Sequence, residues 1–308
     1  MKNNEVQIVE KFKKITLEDR DIISKYLSLN KYSACDYSVG NLVLWSPVYN
    51  THFAVVNDML FIRFMRGEDA YFSFPLGNGD LKQAFEWMLA YCEEQNIKFQ
   101  MNIVEPDMFE AVERIFPGEY EITYIRDSAD YVYSTQDLKN LSGKKYHSKK
   151  NHINKFLSTN NDWTYESITD ENTPKCIDMV KEWCIQNGCG EDEAKLAEIC
   201  VAINGIKNRK ELNLTGGIIR IADRIIAMTM GERLCDDTFV IHFEKAFSDV
   251  DGAYPMINQQ FIIHELADYT YVNREEDMGL EGLRRAKESY KPVFMAEKGI
   301  IIKNKLLN

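Results

Sequence analysis

Apolar residues along this chain occur in two patterns: in short runs typical of strands, and at intervals of three or four residues typical of helices. Segments with the two patterns alternate along the sequence. The apolar runs HFAVVND and MLFIRFM, divided by a turn at Asn57 and Asp58, predict two paired strands. Apolar residues three or four positions apart follow Asp80, and this spacing predicts a helix that Asp80 caps. The first half therefore reads as a helix, several strands, and then a helix, a strand, a helix and a strand.

The second half repeats this order of elements. It predicts helices over Lys144–Leu157, from Thr173 and over Glu191–Ile203, followed by three strands, a helix, a strand, a helix and a final strand, PVFMAEKG. No residue-level repeat is visible, but the shared order predicts a duplication, with an N-terminal domain over residues 1–134 and a C-terminal domain over 135–308. This order is that of the GNAT acyltransferase fold, so we expect two tandem GNAT-like α/β domains, each a mixed sheet flanked by helices.

Composition narrows the classes of protein to consider. Hydrophobic residues make up 45% of the 308 residues, and the formal net charge of -11 argues against a general nucleic-acid coat. Seven cysteines without a CxxC pair predict reduced thiols and a cytoplasmic protein. The sequence shows no signal peptide and no apolar window of about 18 residues, so we expect no transmembrane segment. GxSxG, P-loop and HExxH strings are absent, and no histidine has ligand spacing with a cysteine, so a metal site has no support.

The main departure from this acidic background is a cationic segment, Lys139–Lys155, which we call the lysine stretch. It holds six lysines and two histidines and contains no acidic residue. Such a concentration of positive charge predicts binding of an anion such as a phosphate or a carboxylate, and the alternative is a solvated charged face. Helical spacing places Lys145, Lys149 and His152 on one face. The candidate anion-binding residues are Lys144, Lys145, Lys149 and His152.

A second candidate lies in HFEKAF, on a predicted central strand. A partly buried glutamate at position 244 is suited to deprotonate an attacking amine as a general base. His242, two residues earlier, is predicted to point to the same side of the strand. We therefore take Glu244 and His242 as the candidate catalytic residues. A structural ion pair between Glu244 and a neighbouring Lys or Arg is the alternative.

Polar residues are also dense in the segment Asn273–Gly279, between a predicted strand and a predicted helix, which is typical of a site loop. Arg274 is a candidate to bind a carboxylate or phosphate through two hydrogen bonds, and Glu275 and Glu276 are candidates to bind an amino group. Helix capping by the acidic residues is the alternative. Asn258, predicted at the start of a helix, is a candidate to orient a carbonyl group or an acceptor.

Four strings carry a resemblance to a known family: GKKYHSKKNHINKF, HFEKAF, GAYPMINQQF and YVNREEDMGLEGLRRAKESYKP. They resemble an uncharacterised bacterial family that is grouped with the C-terminal domain of phosphatidylglycerol lysyltransferase and is akin to the Fem peptidoglycan aminoacyltransferases. The resemblance implies tandem GNAT-like domains and transfer of an acyl or aminoacyl group from a charged carrier to an amine or hydroxyl. It also implies that Lys287 and Tyr290 lie near the donor, which in the lysyltransferase is an aminoacyl-tRNA.

The expected donor depends on the segment SDVDGAYPMINQQ. GNAT enzymes that use coenzyme A carry a Q/R-x-x-G-x-G/A loop there, whose backbone N–H groups hold the pyrophosphate. This chain has a single glycine, Gly252, together with Pro255 and the acidic Asp249 and Asp251, so coenzyme A is disfavoured.

We therefore predict an acyl- or aminoacyl-transferase whose substrate is an anionic small molecule or carrier, with tRNA as a candidate partner and no metal. Two alternatives remain open at this stage. One is a non-catalytic, anion-binding GNAT-like protein, and the other is a coenzyme A-dependent N-acetyltransferase with a degenerate loop.

Overall fold

The structure, a computed structural model, describes residues 11–67 and 69–304. The chain forms two compact units. Unit 1 comprises the described residues up to Ala129 together with those from Ala296 onward, and unit 2 comprises Asp130–Met295. Within the described ranges, no helix combines the length and the apolar character needed to span a bilayer.

Unit 1 is built on a mixed sheet. Its helices are α1 (Arg20–Leu27), α2 (Val39–Tyr49), α3 (Leu81–Glu94) and α4 (Pro106–Ile115). Its strands are β1 (Lys13–Lys14), β2 (His52–Val56), β3 (Met59–Arg66), β4 (Asp69–Phe72), β5 (Leu76–Gly77), β6 (Met101–Val104), β7 (Tyr120–Tyr124) and, near the end of the chain, β15 (Gly299–Lys303). The strand order is β1-β2-β3-β4-β6-β15-β7, with β5 paired to β3. β4 and β6 run parallel, whereas β15 pairs antiparallel with β6 and β7.

Unit 2 is built on a second mixed sheet. Its helices are α5 (Thr135–Asn140), α6 (His147–Thr159), α7 (Thr173–Gln186), α8 (Glu193–Lys207), α9 (Ala253–Glu265) and α10 (Glu281–Glu288). Its strands are β8 (Asp130–Ser134), β9 (Trp163–Ser167), β10 (Thr215–Ile221), β11 (Arg224–Arg233), β12 (Thr238–Ala246), β13 (Tyr271–Asn273) and β14 (Phe294–Ala296). The strand order is β14-β8-β13-β12-β11-β10-β9, and β12 and β13 run parallel.

The predicted fold class is confirmed, because each of the two units is a mixed sheet flanked by helices. The predicted helix after Asp80 is confirmed as well: the Asp80 carboxylate accepts a hydrogen bond from the Gln83 N–H at 2.8 Å. The apolar face of α3 is buried, with Phe85 and Met88 fully inaccessible to solvent.

Two local predictions differ from the structure. The helix predicted from Lys144 begins at His147, because Lys144–Tyr146 form a 3₁₀ turn after Gly143, whose φ is 86°. A 3₁₀ turn has three residues per turn rather than 3.6, so side chains before and after it do not share the face that a continuous helix would give them. Leu157, which helical spacing from Ile153 places on the inner side of α6, is instead 40% exposed.

The two ends of the second half also differ from the predicted ranges. β8, at 130–134, lies in the sheet of unit 2 between β14 and β13, where Tyr131 and Tyr133 are buried. β15, with Ile301 fully buried, returns to the sheet of unit 1 instead of extending the second half. Local periodicity identifies an apolar strand but carries no information about the distant strands with which it pairs.

The parallel strands of unit 2, which lie in the middle of its sheet, diverge toward their carboxyl ends. β12 and β13 pair only from Thr238 with Tyr271 to Val240 with Asn273. Beyond this point β12 continues to Ala246, whereas β13 has ended and the chain turns away. In open α/β sheets, ligands bind outside the carboxyl ends of the strands, at such a point of divergence. We call this place the strand-end opening and define it by residues 242–244 of β12 and the loop 274–277 after β13.

Candidate active site

Glu244 lies in the strand-end opening with both carboxylate oxygens engaged. Oε1 accepts a hydrogen bond from Nη2 of Arg274 at 2.8 Å, and Oε2 accepts one from Nδ2 of Asn258 at 3.1 Å. The Glu244 side chain is 11% exposed, and Asn258, in the second turn of α9, is buried. Three residues predicted from separate sequence segments thus meet at one carboxylate.

The two terminal nitrogens of the Arg274 guanidinium have different surroundings. Nη2 is paired with Glu244, but among the residues that the structure describes, buried Nη1 has no hydrogen-bond partner. The guanidinium carbon lies 4.8 Å from the ring centroid of Tyr290 and 5.7 Å from that of Tyr133. Burial opposes the charge, but the Glu244 carboxylate and the hydroxyl groups of Tyr133 and Tyr290, the latter also through a hydrogen bond, outweigh burial and raise the pKa of Arg274. A buried cationic donor without an acceptor requires an explanation, and a bound anion is one.

Lys149 is the member of the lysine stretch that reaches this place. It lies on α6, and its Nζ is 4.1 Å from the ring centroid of Tyr290. Burial, reinforced by the positive charge of Arg274, lowers the pKa of Lys149, and Glu244 compensates only in part. Lys149 and Arg274 therefore bring two positive charges to one tyrosine ring, and of these two cations only Arg274 is paired with the Glu244 carboxylate.

The other candidates of the lysine stretch are directed elsewhere. Lys145 lies in the 3₁₀ turn and pairs with Asp137 at 2.8 Å, where both side chains are largely solvated. Lys144 and His152 are exposed. The predicted common face of Lys145, Lys149 and His152 is therefore not formed: Lys145 lies in the turn before α6, and His152, although three residues after Lys149 on α6, is exposed.

His242 is enclosed by two carboxylates. Its Nε2 lies 2.9 Å from Oε1 of Glu232 on β11, and its Nδ1 lies 2.8 Å from Oε1 of Glu275 in the loop after β13. Burial opposes its charge, but the hydrogen bonds to Glu232 and Glu275 outweigh burial and raise the pKa of His242 to about 10. At neutral pH His242 is therefore an imidazolium, which ties β11, β12 and the loop together and has no lone pair to accept a proton.

An irregularity in the pairing of β11 and β12 places His242 between these two carboxylates. Across β11 and β12, Met230 pairs with Phe243 and Gly231 pairs with Ile241, so His242 is the extra residue of a β-bulge. Bulges change the direction in which a side chain points. The histidine was predicted from strand alternation, whereas its partner Glu232 was not. The available signal for Glu232 was its position as an acidic residue within the long apolar strand RIIAMTMGERL.

The Lys287 side chain binds the backbone of the loop 274–277. Its Nζ donates hydrogen bonds to the carbonyl oxygen of Arg274 at 2.6 Å, to that of Glu275 at 3.1 Å and to that of Glu276. Burial lowers the pKa of Lys287. Glu275 has a φ of 60°, a left-handed conformation that L-residues seldom adopt without support. Lys287 was predicted to bind substrate, but its hydrogen bonds in the structure stabilise the strained loop that carries Arg274.

Asp277 fixes the other end of the same loop. It is buried and accepts hydrogen bonds from Arg284 at 2.8 and 2.9 Å, from the Tyr131 hydroxyl at 2.5 Å and from the Gly279 N–H at 2.8 Å. The hydrogen bonds from Arg284 are the largest cause of the lowered pKa of Asp277. Arg274 and Glu275 thus lie on a loop that is held at both ends.

The N-terminus of α9, where a GNAT coenzyme would place its pyrophosphate, is covered. Gly252 precedes α9 with a φ of 81°, and a Cβ on it would lie 2.3 Å from the carbonyl oxygen of His152 on α6. Asp251 forms an ion pair with Lys155, and Asp249 pairs with Arg224 at 3.1 Å. A helix backbone and two carboxylates at this position fit a pyrophosphate poorly.

The chain thus forms two α/β units, each a mixed sheet flanked by helices, and unit 2 brings Glu244, Arg274 and Lys149 together at the strand-end opening. The family model described as phosphatidylglycerol lysyltransferase, C-terminal, matches residues 28–300. The chain belongs to this family.

Solved structures agree with this assignment. A conserved protein of unknown function from Bacteroides thetaiotaomicron is 40% identical, with a TM-score of 0.91 over 96% of this chain and 100% of that one. The C-terminal domain of a putative lysylphosphatidylglycerol synthetase from Agrobacterium fabrum has a TM-score of 0.66 at 10% identity, over 94% of this chain and 93% of that one. L-PGS from Bacillus licheniformis has a TM-score of 0.63 at 14% identity, over 92% of each chain. The last two show the same fold.

A curated relative adds a more distant match. An uncharacterized protein of Mycoplasmoides gallisepticum is 24% identical over 196 residues, which are 60% of this chain. The match spans 59% of the length of that relative.

Proposed function

We propose that unit 2 transfers an acyl or aminoacyl group from an anionic carrier to an amine or hydroxyl acceptor at the strand-end opening. One observation carries the proposal: the buried Glu244 carboxylate is held by Arg274 and Asn258, beside an Arg274 nitrogen that lacks an acceptor. A fixed carboxylate next to a free cationic donor suits a reaction that moves a proton and binds an anion.

Glu244 is the proposed proton acceptor. Each of its oxygens accepts one hydrogen bond from the protein, and a carboxylate oxygen has a second lone pair for another donor. As an acceptor amine or hydroxyl attacks the carbonyl carbon of the carrier ester, its proton passes to Glu244. The bond from that carbon to the carrier oxygen then breaks with its electron pair, and the carrier leaves as an alcohol that takes the proton from Glu244. Arg274 and Asn258 keep the carboxylate in place, so no reorganisation is needed during the reaction.

Arg274 and Lys149 are the proposed ligands for the anionic part of the carrier. Nη1 of Arg274 offers an unused hydrogen bond, and the Lys149 ammonium lies over the same tyrosine ring. Together they carry one positive charge more than Glu244 neutralises. A phosphate or carboxylate that enters here gains two charge-assisted contacts.

An aminoacyl-tRNA is the proposed donor, in preference to coenzyme A. The covered N-terminus of α9 and its two ion-paired aspartates support this choice, because they occupy the place of the pyrophosphate. The family description names phosphatidylglycerol and a lysyl group. Lysyl-tRNA and phosphatidylglycerol are therefore the first donor and acceptor to test.

A panel of donors tests the proposal directly. The purified full chain is incubated with tRNA charged with radiolabelled amino acids, or with radiolabelled acetyl-coenzyme A, in the presence of phosphatidylglycerol vesicles or a small amine. We expect nuclease-sensitive transfer of label from aminoacyl-tRNA. Transfer from acetyl-coenzyme A alone would contradict the proposed donor and favour the N-acetyltransferase alternative. Salt-sensitive tRNA binding without transfer from any donor would favour the non-catalytic alternative.

A further inference from the structure

Lys149 differs from the neighbouring cations in what surrounds its charge. Lys145 pairs with Asp137 and Lys155 pairs with Asp251, both at the surface. For Lys149, the described part of the chain supplies a tyrosine ring at 4.1 Å but no carboxylate within salt-bridge distance. Lys149 is thus a half-buried amine without an acidic partner.

The charged and titratable groups that face Lys149 come from three elements. Tyr290 follows α10, Arg274 follows β13 and Glu244 belongs to β12. Burial and the nearby Arg274 both disfavour the ammonium form and lower the pKa of Lys149, whereas Glu244 favours that form. The free amine is the nucleophilic form of a lysine.

The half-buried Lys287 provides an internal contrast. Burial also lowers its pKa, but its ammonium protons are donated to the carbonyl oxygens of residues 274, 275 and 276. Lys287 is therefore held as a donor inside the loop. Lys149 is also partly buried but makes no such bonds among the described residues, and its Nζ lies 4.1 Å from the Tyr290 ring, with Arg274 and Glu244 of the strand-end opening nearby.

We propose that Lys149 is an acylation site, whose amine takes an acyl group from activated esters or acyl phosphates that enter the strand-end opening. The nitrogen lone pair of Lys149 forms a bond to the acyl carbon, and the bond from that carbon to the leaving oxygen breaks with its electron pair. One proton leaves the nitrogen and ends on the leaving oxygen. The products are an amide on Lys149 and a free alcohol or phosphate, without any oxidant or reductant.

The modification removes one of the two positive charges beside Tyr290. Because an amide is uncharged and does not hydrolyse readily, an acylated chain keeps Arg274 but loses the Lys149 contact to an anion. Acylation of Lys149 would thus weaken the binding of an anionic carrier. This inference uses the proposed function only to say that an acyl donor reaches the opening; the reactivity of the amine does not require transfer to an acceptor.

Trace labelling of the folded full chain tests the proposal. The protein is treated near neutral pH with a substoichiometric amount of p-nitrophenyl acetate, and acetylation of each lysine is measured by peptide mass spectrometry. Lys150 is the matched control, because it is the next residue of α6 and is exposed. We expect Lys149 to be acetylated several-fold more than Lys150, and Lys287 to remain unmodified. Equal or greater acetylation of Lys150 would overturn the proposal.

Two variants keep this result interpretable. Lys149→Arg should abolish the preferred label and leave labelling of Lys150 unchanged, which confirms the position. Arg274→Gln removes the neighbouring positive charge, so labelling of Lys149 relative to Lys150 should fall. No fall in a variant whose circular dichroism spectrum matches the parent would contradict the role given to Arg274. A chain that labels at Lys149 but transfers nothing would contradict only the proposed function, and the reverse outcome would contradict only the acylation site.

Discussion

Both units contain a parallel strand pair that diverges, but the two divergences are filled differently. In unit 1, β4 and β6 are parallel at Phe72 and Met101, and the buried Tyr37 hydroxyl donates a hydrogen bond to the Ile103 carbonyl and interacts with the backbone of Phe74. The chain's own side chain thus closes the space after the strands. In unit 2 the corresponding space holds Glu244, Arg274 and Lys149.

The acidic residue at each strand end sharpens this contrast. In unit 1, Oε1 of Glu105 accepts hydrogen bonds from the backbone N–H groups of Ser33 at 2.8 Å and Ala34 at 2.7 Å. In unit 2, Glu244 accepts hydrogen bonds from side chains, one of which has an unused donor. The same architecture therefore supports a structural role in one unit and a candidate site in the other, which is why function has to be argued from residues and not from the fold.

The largest expected effect separates these two glutamates. Glu244→Gln should lower the transfer rate by roughly 10²–10⁴-fold, because the amide cannot accept the proton of the attacking group. Glu105→Gln keeps an oxygen for the Ser33 and Ala34 N–H groups and should leave the rate unchanged. Transfer rates are compared with those of Glu211→Gln, an exposed control in unit 2 with the same change of charge. Equal rates for all three variants would remove Glu244 from the mechanism.

The next effect is a pH dependence that belongs to unit 2. The pKa of His242 is raised to about 10 in the folded chain, from an ordinary value of 6.5. Its protonation stabilises the folded state fully below the ordinary pKa, and this stabilisation is lost as the pH rises toward 10. We expect urea unfolding to show a loss on the order of 3 kcal/mol between about pH 7 and about pH 10.

Substitution of His242 checks the source of this pH dependence. His242→Gln should be less stable at neutral pH and should show a flatter profile up to about pH 10. His52→Gln, which changes a histidine of unit 1, should keep the parent profile. An unchanged slope in His242→Gln would show that the His242 ion pairs do not cause the loss.

Much of the fold could be predicted because helix and strand periods are local properties of the sequence. The apolar face of α3 and the cap at Asp80 are examples. β15 was missed, because the final strand was predicted over residues 292–299 and the three apolar residues 300–302 do not reveal the sheet with which they pair. The start of α6 was also missed, because the spacing of Tyr146 and Ile153 fits a helix and does not reveal a 3₁₀ turn.

The candidate site divides in a similar way. Glu244, Asn258 and Arg274 could be selected in advance, because each is a polar residue within or next to an apolar segment of the sequence. The hydrogen bonds of Lys287 to the loop could not be predicted. They depend on a backbone with a left-handed residue, Glu275, which brings three carbonyl oxygens close together. The β-bulge at His242 likewise depends on the pairing of two strands and leaves no mark in either one alone.

A third prediction concerns unit 1, at the place where β4 and β6 diverge and Glu105 binds the backbone. Glu105→Ala leaves two backbone N–H groups without their acceptor, so we expect a loss of about 2 kcal/mol in the free energy of unfolding. Transfer per folded molecule should stay at the parent value. Urea unfolding and a transfer assay on the same preparation check both parts. A transfer defect without a stability defect would mean that the divergence of unit 1 contributes to function.

The smallest effect lies within the lysine stretch. Lys149→Met should weaken binding of inorganic phosphate or tRNA about tenfold, which corresponds to about 1.4 kcal/mol, because the ligand loses one partly buried charged contact. Lys150→Met and Lys145→Ala, which alter exposed cations, should change the affinity much less. Equilibrium binding at one fixed salt concentration provides the comparison. Equal losses of affinity in all three variants would show that the lysine stretch acts as one solvated charged surface and that Lys149 has no special role.

The route of the chain through β15 has a consequence for biosynthesis. The sheet of unit 1 needs this strand between β6 and β7, yet β15 is translated after every residue of unit 2. While a ribosome is still making unit 2, β6 and β7 each expose an edge to which β15 has yet to pair. Unit 2 can therefore fold before unit 1 is complete. The sheet of unit 1, although most of it is translated first, can be completed only after the last strand of the chain has been made.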